Sequence, residues 1–207
     1  MIGIINCGLG NVGSLQNMLN FLNFPTKLVD HRSQLKNLNY CILPGVGHFD
    51  KGIEKLKKHD LFNPLLDRIN NKSLFILGIC LGAQMLMKYS EEGNSEGLGA
   101  FNAFVSKFNF KEFDDDEGLK IPHMGWSKVN CILDNLYFDN KEENRFYFVH
   151  SYHFKVFETT NILLTAKYGY EFPCALFNDQ ILALQFHPEK SHNFGLRFFR
   201  KYYSKFL

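Results

Sequence analysis

No long apolar run occurs in this sequence. A membrane span needs about 20 consecutive apolar residues, and nothing approaching that is present. Residue 1 opens directly onto an apolar strand, without the basic leader of a targeting peptide. No C-x-x-C pair occurs either. The five cysteines, Cys7, Cys41, Cys80, Cys131 and Cys174, are odd in number and widely scattered, which argues against a zinc ribbon or a dithiol redox motif and suits reduced thiols. Excess charge of one sign is missing too: 23 Lys and Arg against 21 Asp and Glu leave a net charge of +2, too weak a field to argue for nucleic acid or an acidic membrane as partner. Internal repeats are absent. These absences point to a cytoplasmic chain with no nucleic-acid or membrane partner, in which the sequon at Asn71 would go unused. Its 207 residues suffice for one domain, 1–207, whose core needs no disulfide.

Regular alternation of strands and helices fills the first half. Residues 1–6, 26–30, 40–43 and 74–79 read as short apolar strands, and 11–22 carries apolar residues at helical spacing. This predicts an α/β fold with a mostly parallel sheet flanked by helices, and chemistry at the carboxyl ends of the strands. From about residue 97 the pattern becomes β-rich, with pieces at 103–108, 127–131, 145–149, 162–168, 174–177 and 181–185, the last two flanking a hairpin turn at 178–180. An added antiparallel part follows from this, then a helix over 193–206. The acidic run 113–118 admits a metal site or a solvated turn, and adjacent carboxylates on one loop favour the turn.

Gly78–Gly82, GICLG, has the G-x-nucleophile-x-G form of a strand-to-helix elbow, with Cys80 exposed at its tip and at the positive end of the helix that follows. An ordinary buried cysteine is the competing reading. Downstream, the run QFHPEK holds His187 and Glu189 two residues apart, so an extended chain lets the carboxylate touch the imidazole and fix its tautomer. Taken alone, that run equally fits a surface ion pair. The run GLGNVG at Gly8–Gly13 matches a dinucleotide fingerprint and raises a nicotinamide-dependent oxidoreductase as a rival. His150 and His153 form an H-x-x-H pair, a poor metal site on a strand or loop, where the two do not share a face.

Five separated blocks, PGVG at 44–47, GICLGAQ at 78–84, PHMGW at 122–126, YFVHSY at 147–152 and QFHPEK at 185–190, together resemble the class I (triad) glutamine amidotransferases, in the same order and over nearly the whole chain. The resemblance implies that Cys80 is the nucleophile, His187 the general base and acid, and Glu189 its orienting carboxylate. It implies an oxyanion hole from the N–H of Leu81 and one from Val46 or Gly47. Gln84, Glu92, His150, Ser151 and Tyr152 then hold the substrate, L-glutamine, and no cofactor or metal is needed. Within the family the likeness is nearest to glutaminase subunits that feed ammonia to a HisF-like TIM-barrel cyclase as a heterodimer in histidine biosynthesis. Asn11, Trp126 and Lys190 match positions at that interface, and the glycine fingerprint becomes an interface loop. Three positions depart from the family pattern: Ala83 where Met is usual, His48 where a small residue is common, and Ser127 where Asn is common. The last two leave open a paralogous subunit supplying ammonia to a sugar in surface-polysaccharide synthesis. A catalytically dead binding subunit is disfavoured by the intact Cys80, His187 and Glu189.

Overall fold

The structure, a computed structural model, describes residues 1–111, 118–133, 137–138 and 143–204. The carboxylates of the acidic run lie outside these, as does the end of the predicted C-terminal helix.

Strand β1 (Ile2–Ile5) is buried along its whole length, with Ile2 and Ile4 in one core and Ile5 in the other. A strand covered on both faces has no polar side, which is why it reads as a continuous apolar run. Helix α1 (Val12–Phe21) turns Leu15 and Leu19 onto the first core. β2 (Thr26–Val29), a single helical turn α2 (Arg32–Leu35) and β3 (Tyr40–Leu43) follow. Helices α3 (Phe49–Lys58) and α4 (Phe62–Asn70) cover the opposite face, where Phe49, Ile53, Leu56 and Leu65 enter the second core. α4 has no counterpart in the sequence reading: Pro64 interrupts its pattern, yet sits in the first turn, where a missing N–H costs little. β4 (Phe75–Ile79) ends the parallel series and leads into α5 (Leu81–Gln84).

The β-rich half comprises β5 (Ala103–Lys107), β6 (His123–Cys131), β7 (Asn144–His150), β8 (Tyr152–Val156), β9 (Ile162–Tyr168), β10 (Tyr170–Asn178) and β11 (Ile181–Leu184), before α6 (His192–Ser204). Only one residue separates β7 from β8, so the sequence shows no break between them. Among the described residues the strands join in the order β2-β1-β3-β4-β11-β10-β9-β6-β7, parallel from β2 to β11 and antiparallel beyond, with β5 and β8 forming a separate ribbon. The predicted antiparallel part is thus a continuation of the same sheet.

One feature of this topology makes the site. The hairpin expected at 178–180 is present, with Asn178 opposite Ile181, and it sends β11 back parallel to β4 with Leu184 beside Ile79. Cys80 and the segment 185–189 therefore leave the sheet at the same end, from neighbouring strands.

Candidate active site

The elbow forms because its glycines admit backbone where no side chain fits. A Cβ on Gly82 would lie 1.7 Å from the Leu43 carbonyl oxygen, and one on Gly78 would lie 2.7 Å from Ala83 Cα. Between them Cys80 is held at φ +52°, ψ −112°, outside the regions that side-chain-bearing residues favour. Its N–H is anchored to the Leu184 carbonyl at 2.7 Å, and its own carbonyl accepts from the Gln84 N–H at 2.9 Å. In two respects the elbow differs from expectation. α5 is one turn long, so little macrodipole stands behind the thiol. Cys80 is also only 6% exposed: its Sγ lies 3.9 Å from the Val149 carbonyl of β7 and 3.8 Å from the side-chain nitrogen of Gln185, which follows β11.

His187 sits on the adjacent exit, its N–H bonded to the Tyr147 carbonyl at 2.9 Å. Nδ1 pairs with Glu189 Oε1 at 2.7 Å, the contact the sequence predicts. The backbone that brings them together is a 3-10 turn, Pro188–Lys190, instead of an extended strand. Helix α6 supports that turn closely enough that a Cβ on Gly195 would fall 1.8 Å from the Pro188 carbonyl oxygen. Ser191 also braces it, donating to the His187 carbonyl at 2.6 Å and accepting the Tyr147 N–H at 3.0 Å. His187 Nε2 is buried and has no well-aligned hydrogen-bond partner. Burial alone would lower the pKa of this imidazole; the charge of Cys80 and the Glu189 carboxylate outweigh that and push it up to about 10.

A cavity of about 340 Å³ opens beside Cys80, lined by Val46, Gly47, Leu81, Gln84, Glu92, Pro122 and residues 149–152. Every predicted substrate and oxyanion residue is there. A second, smaller cavity of about 80 Å³ is bounded by His187, Glu189, Asn11, Lys190 and residues 44–46, so Val46 is shared by both. Asn11 also caps α1, accepting the Ser14 N–H at 3.2 Å. Trp126 is 41% exposed and stacks on His192 with centroids 5.8 Å apart, while Lys190 Nζ lies 5.9 Å from the Tyr147 ring centroid.

Several of these groups are already engaged. The Val46 N–H donates to the Leu9 carbonyl, and the Leu81 N–H donates to the Gly45 carbonyl at 3.2 Å. The 45–46 peptide thus turns its oxygen to one candidate oxyanion donor, the Leu81 N–H, and its own N–H away from it. Glu92 Oε2 accepts the Phe49 N–H at 2.8 Å, tying its loop to the start of α3. His150 lines the cavity, but both ring nitrogens are bonded inward, to the Tyr152 carbonyl at 2.7 Å and to His123 at 3.0 Å. His153 is bonded to the Phe154 carbonyl and the Tyr170 hydroxyl, so the H-x-x-H pair presents no common face to a metal. Among the described residues no group of three metal-binding side chains occurs. The loop carrying the glycine fingerprint packs on the 44–47 turn, with Lys55 Nζ on the Gly8 carbonyl at 2.5 Å.

Gln185 is the residue whose place the sequence reading overlooks. It lies within the QFHPEK block, two positions before His187, and the period of an extended chain would have turned it toward the same side. It is fully buried and contacts both Gln84 and Cys80.

A family profile described as glutamine amidotransferase class-I matches residues 3–203. The imidazole glycerol phosphate synthase subunit HisH of Leptospira borgpetersenii is 42% identical over 205 residues, covering 99% of this chain and all of its own. The HisH 2 subunit of Methanococcus maripaludis is 43% identical, covering 95% of this chain and 96% of its own. A crystal structure of a glutamine amidotransferase superposes with a TM-score of 0.76 at 20% identity, covering 98% of this chain and 97% of that one, a likeness of fold. No helix among the described residues is long and apolar enough to cross a membrane.

Proposed function

Because this chain belongs to the class-I glutamine amidotransferase family, we propose that residues 1–207 form one glutaminase unit. It hydrolyses L-glutamine to glutamate and ammonia, and hands the ammonia to a HisF-like TIM-barrel cyclase that makes imidazole glycerol phosphate and the by-product AICAR. The observation that carries the reading is the strained Cys80 elbow, which lines the larger cavity, beside a His187 bonded to Glu189, which line the smaller one.

The chemistry follows from that geometry. Cys80 gives its proton to His187 Nε2, and the thiolate attacks the side-chain carbonyl of glutamine. Electrons shift onto the oxygen and then return as the C–N bond breaks, with His187 protonating the departing ammonia. A γ-glutamyl thioester remains. Water deprotonated by His187 attacks it, and glutamate leaves as the Cys80 thiolate is released. Glu189 keeps the Nδ1 proton in place throughout. Glu92 supplies a carboxylate for the substrate's α-ammonium, and no step needs a cofactor.

The 45–46 peptide sets the resting rate. Until it rotates, the oxyanion faces the Gly45 carbonyl instead of two N–H donors, and a single missing donor costs about 10²–10³ in rate. The same peptide lies in the wall between the two cavities, the smaller of which carries Asn11 and Lys190. A partner seated on that side would both turn the peptide and open the way for ammonia. His48 and Ser127 both have tasks inside the chain: His48 Nδ1 accepts the Asp50 N–H at 3.2 Å, and Ser127 Oγ lies 2.8 Å from His123 Nε2. Neither departure therefore argues for a sugar-pathway partner.

The test is ammonia release from glutamine by wild type and Cys80→Ala, with and without the histidine-pathway cyclase and its ribonucleotide ligand. Strong stimulation of wild type alone is expected. Cys80-dependent hydrolysis indifferent to that cyclase would overturn the partner, and hydrolysis retained by Cys80→Ala would overturn the nucleophile.

A further inference from the structure

Gln185 is fully buried at the end of β11, and the mechanism above gives it no task. Its side-chain nitrogen lies 3.8 Å from Cys80 Sγ, a hydrogen-bonding separation for an atom as large as sulfur. Which end of an amide faces which neighbour is decided by its partners, and here one partner decides the whole chain of contacts. The Tyr152 carbonyl can only accept. The Gln84 side chain lies 3.1 Å from it, so Gln84 must turn its NH₂ that way. That same NH₂ lies 3.1 Å from the Gln185 side chain, which must answer with Oε1. Gln185 is thereby obliged to turn its own NH₂ toward the sulfur.

The Tyr152 carbonyl is itself fixed from the other side. His150 Nδ1–H donates to it at 2.7 Å, which leaves His150 Nε2 to accept from His123 Nδ1–H at 3.0 Å. His123 Nε2 then accepts from the Ser127 hydroxyl at 2.8 Å. Burial keeps both imidazoles neutral, as this sequence of donors and acceptors requires. Every member from Ser127 to Gln185 has one polarity open to it.

The sulfur needs such a donor only after it loses its proton. As a thiol, Cys80 can donate to the Val149 carbonyl at 3.9 Å. Once His187 has taken that proton, the carbonyl dipole faces an anion, and the Gln185 N–H meets it as a second side-chain donor beside the protonated His187. Hydrogen bonds to an ionised acceptor are roughly twice as strong as neutral ones.

The geometry points to Gln185 as a further catalytic residue: its side-chain NH₂, oriented by Gln84 and the Tyr152 carbonyl, donates to the Cys80 thiolate and holds Sγ for attack. This rests on the reading of Cys80 as the nucleophile. Gln84 is then a positioning residue as well as a cavity wall, its NH₂ spent on Tyr152 and Gln185.

The experiment is the pH dependence of Cys80 alkylation by iodoacetamide in the full chain, for wild type, Gln185→Met, Gln185→Glu and Gln84→Met, each checked for folding by thermal melting. Loss of the donor is expected to raise the apparent pKa of alkylation by about one unit in Gln185→Met, which is ~10-fold slower reaction below that pKa. Gln185→Glu, placing a carboxylate against the sulfur, shifts it further, and Gln84→Met shifts it in the same direction. An unshifted profile in a folded Gln185→Met overturns the proposal. Should the variants not fold, wild type labelled with ¹⁵N in glutamine side chains decides it. The Gln185 NH₂ resonances titrate with the alkylation pKa and stop doing so in Cys80→Ala; resonances static with pH overturn the proposal. Failure of the nucleophile assignment is seen separately, as glutamine hydrolysis retained by Cys80→Ala, while the alkylation profile reports on the Gln185 contact alone.

Discussion

At Cys80 a residue with a side chain is held at positive φ, a conformation that costs on the order of 1–3 kcal/mol and persists only where its surroundings over-determine it. Hydrogen bonds from Cys80 N–H to Leu184 and from Gln84 N–H to Cys80 supply that constraint. Replacing the thiol should therefore leave the fold intact while abolishing glutamine hydrolysis. The imidazole opposite should report the loss. Burial lowers its pKa, Cys80 supplies the largest influence raising it, and Glu189 adds to that, so in Cys80→Ala the His187 value should fall from about 10. Histidine ring resonances followed by NMR against pH measure this directly, and an unchanged midpoint would refute the coupling. Lys190, on the wall of the smaller cavity, tests the partner side. Lys190→Ala should weaken stimulation by the cyclase more than it slows thioester formation, and equal loss of both would count against an interface role.

The elements that carry the site are held by close backbone approaches. Gly82→Ala drives a methyl into the Leu43 carbonyl, and Gly195→Ala drives one into the Pro188 carbonyl. Each should cost on the order of 3 kcal/mol by urea denaturation. Gly99, at φ +63° with nothing within 4 Å of its would-be Cβ, is the control: Gly99→Ala should cost only about 1 kcal/mol of backbone strain. A cost at Gly82 no larger than at Gly99 would show that the elbow can relax. Much of this architecture was legible beforehand. Buried parallel strands announce themselves as unbroken apolar runs, and the turn at 178–180 separates β10 from β11 clearly. β8 and α4 were hidden, one by a single-residue break from β7 and the other by Pro64. The contact of His187 with Glu189 was legible from their spacing, although a tight turn, not a strand, provides it. The orientation of the 45–46 peptide was not: a peptide plane leaves no mark on residue identity, since PGVG permits either face. The place of Gln185 leaves little mark either: an uncharged amide does not announce that its partners are Gln84 and Cys80.

Across the whole molecule, the buried histidines shift in opposite directions: burial lowers one set, and in His187 the neighbouring Cys80 and Glu189 outweigh it. His123 and His153 are held down to about 4 and His150 well below its ordinary range, chiefly by desolvation. Unfolded, these residues take up protons near pH 6.5, so their contribution to stability is complete above that pH. It is lost as pH falls toward 4, at up to about 1.4 kcal/mol per pH unit for each. His187 runs the other way: its contribution is full below about 6.5 and is lost as pH climbs toward 10. Stability should therefore peak near neutrality. His153→Phe should flatten the acid limb of a stability–pH curve by about one proton, and an unaltered slope would contradict the assignment. The central claim, that Cys80 carries the glutamyl group during turnover, is tested most directly by acid-quenching wild type during glutamine hydrolysis with the cyclase present and mapping adducts by mass spectrometry. A γ-glutamyl adduct on the peptide containing Cys80, absent from Cys80→Ala, is the predicted result. Sustained hydrolysis with no adduct on that peptide, or with the adduct on another residue, would contradict it.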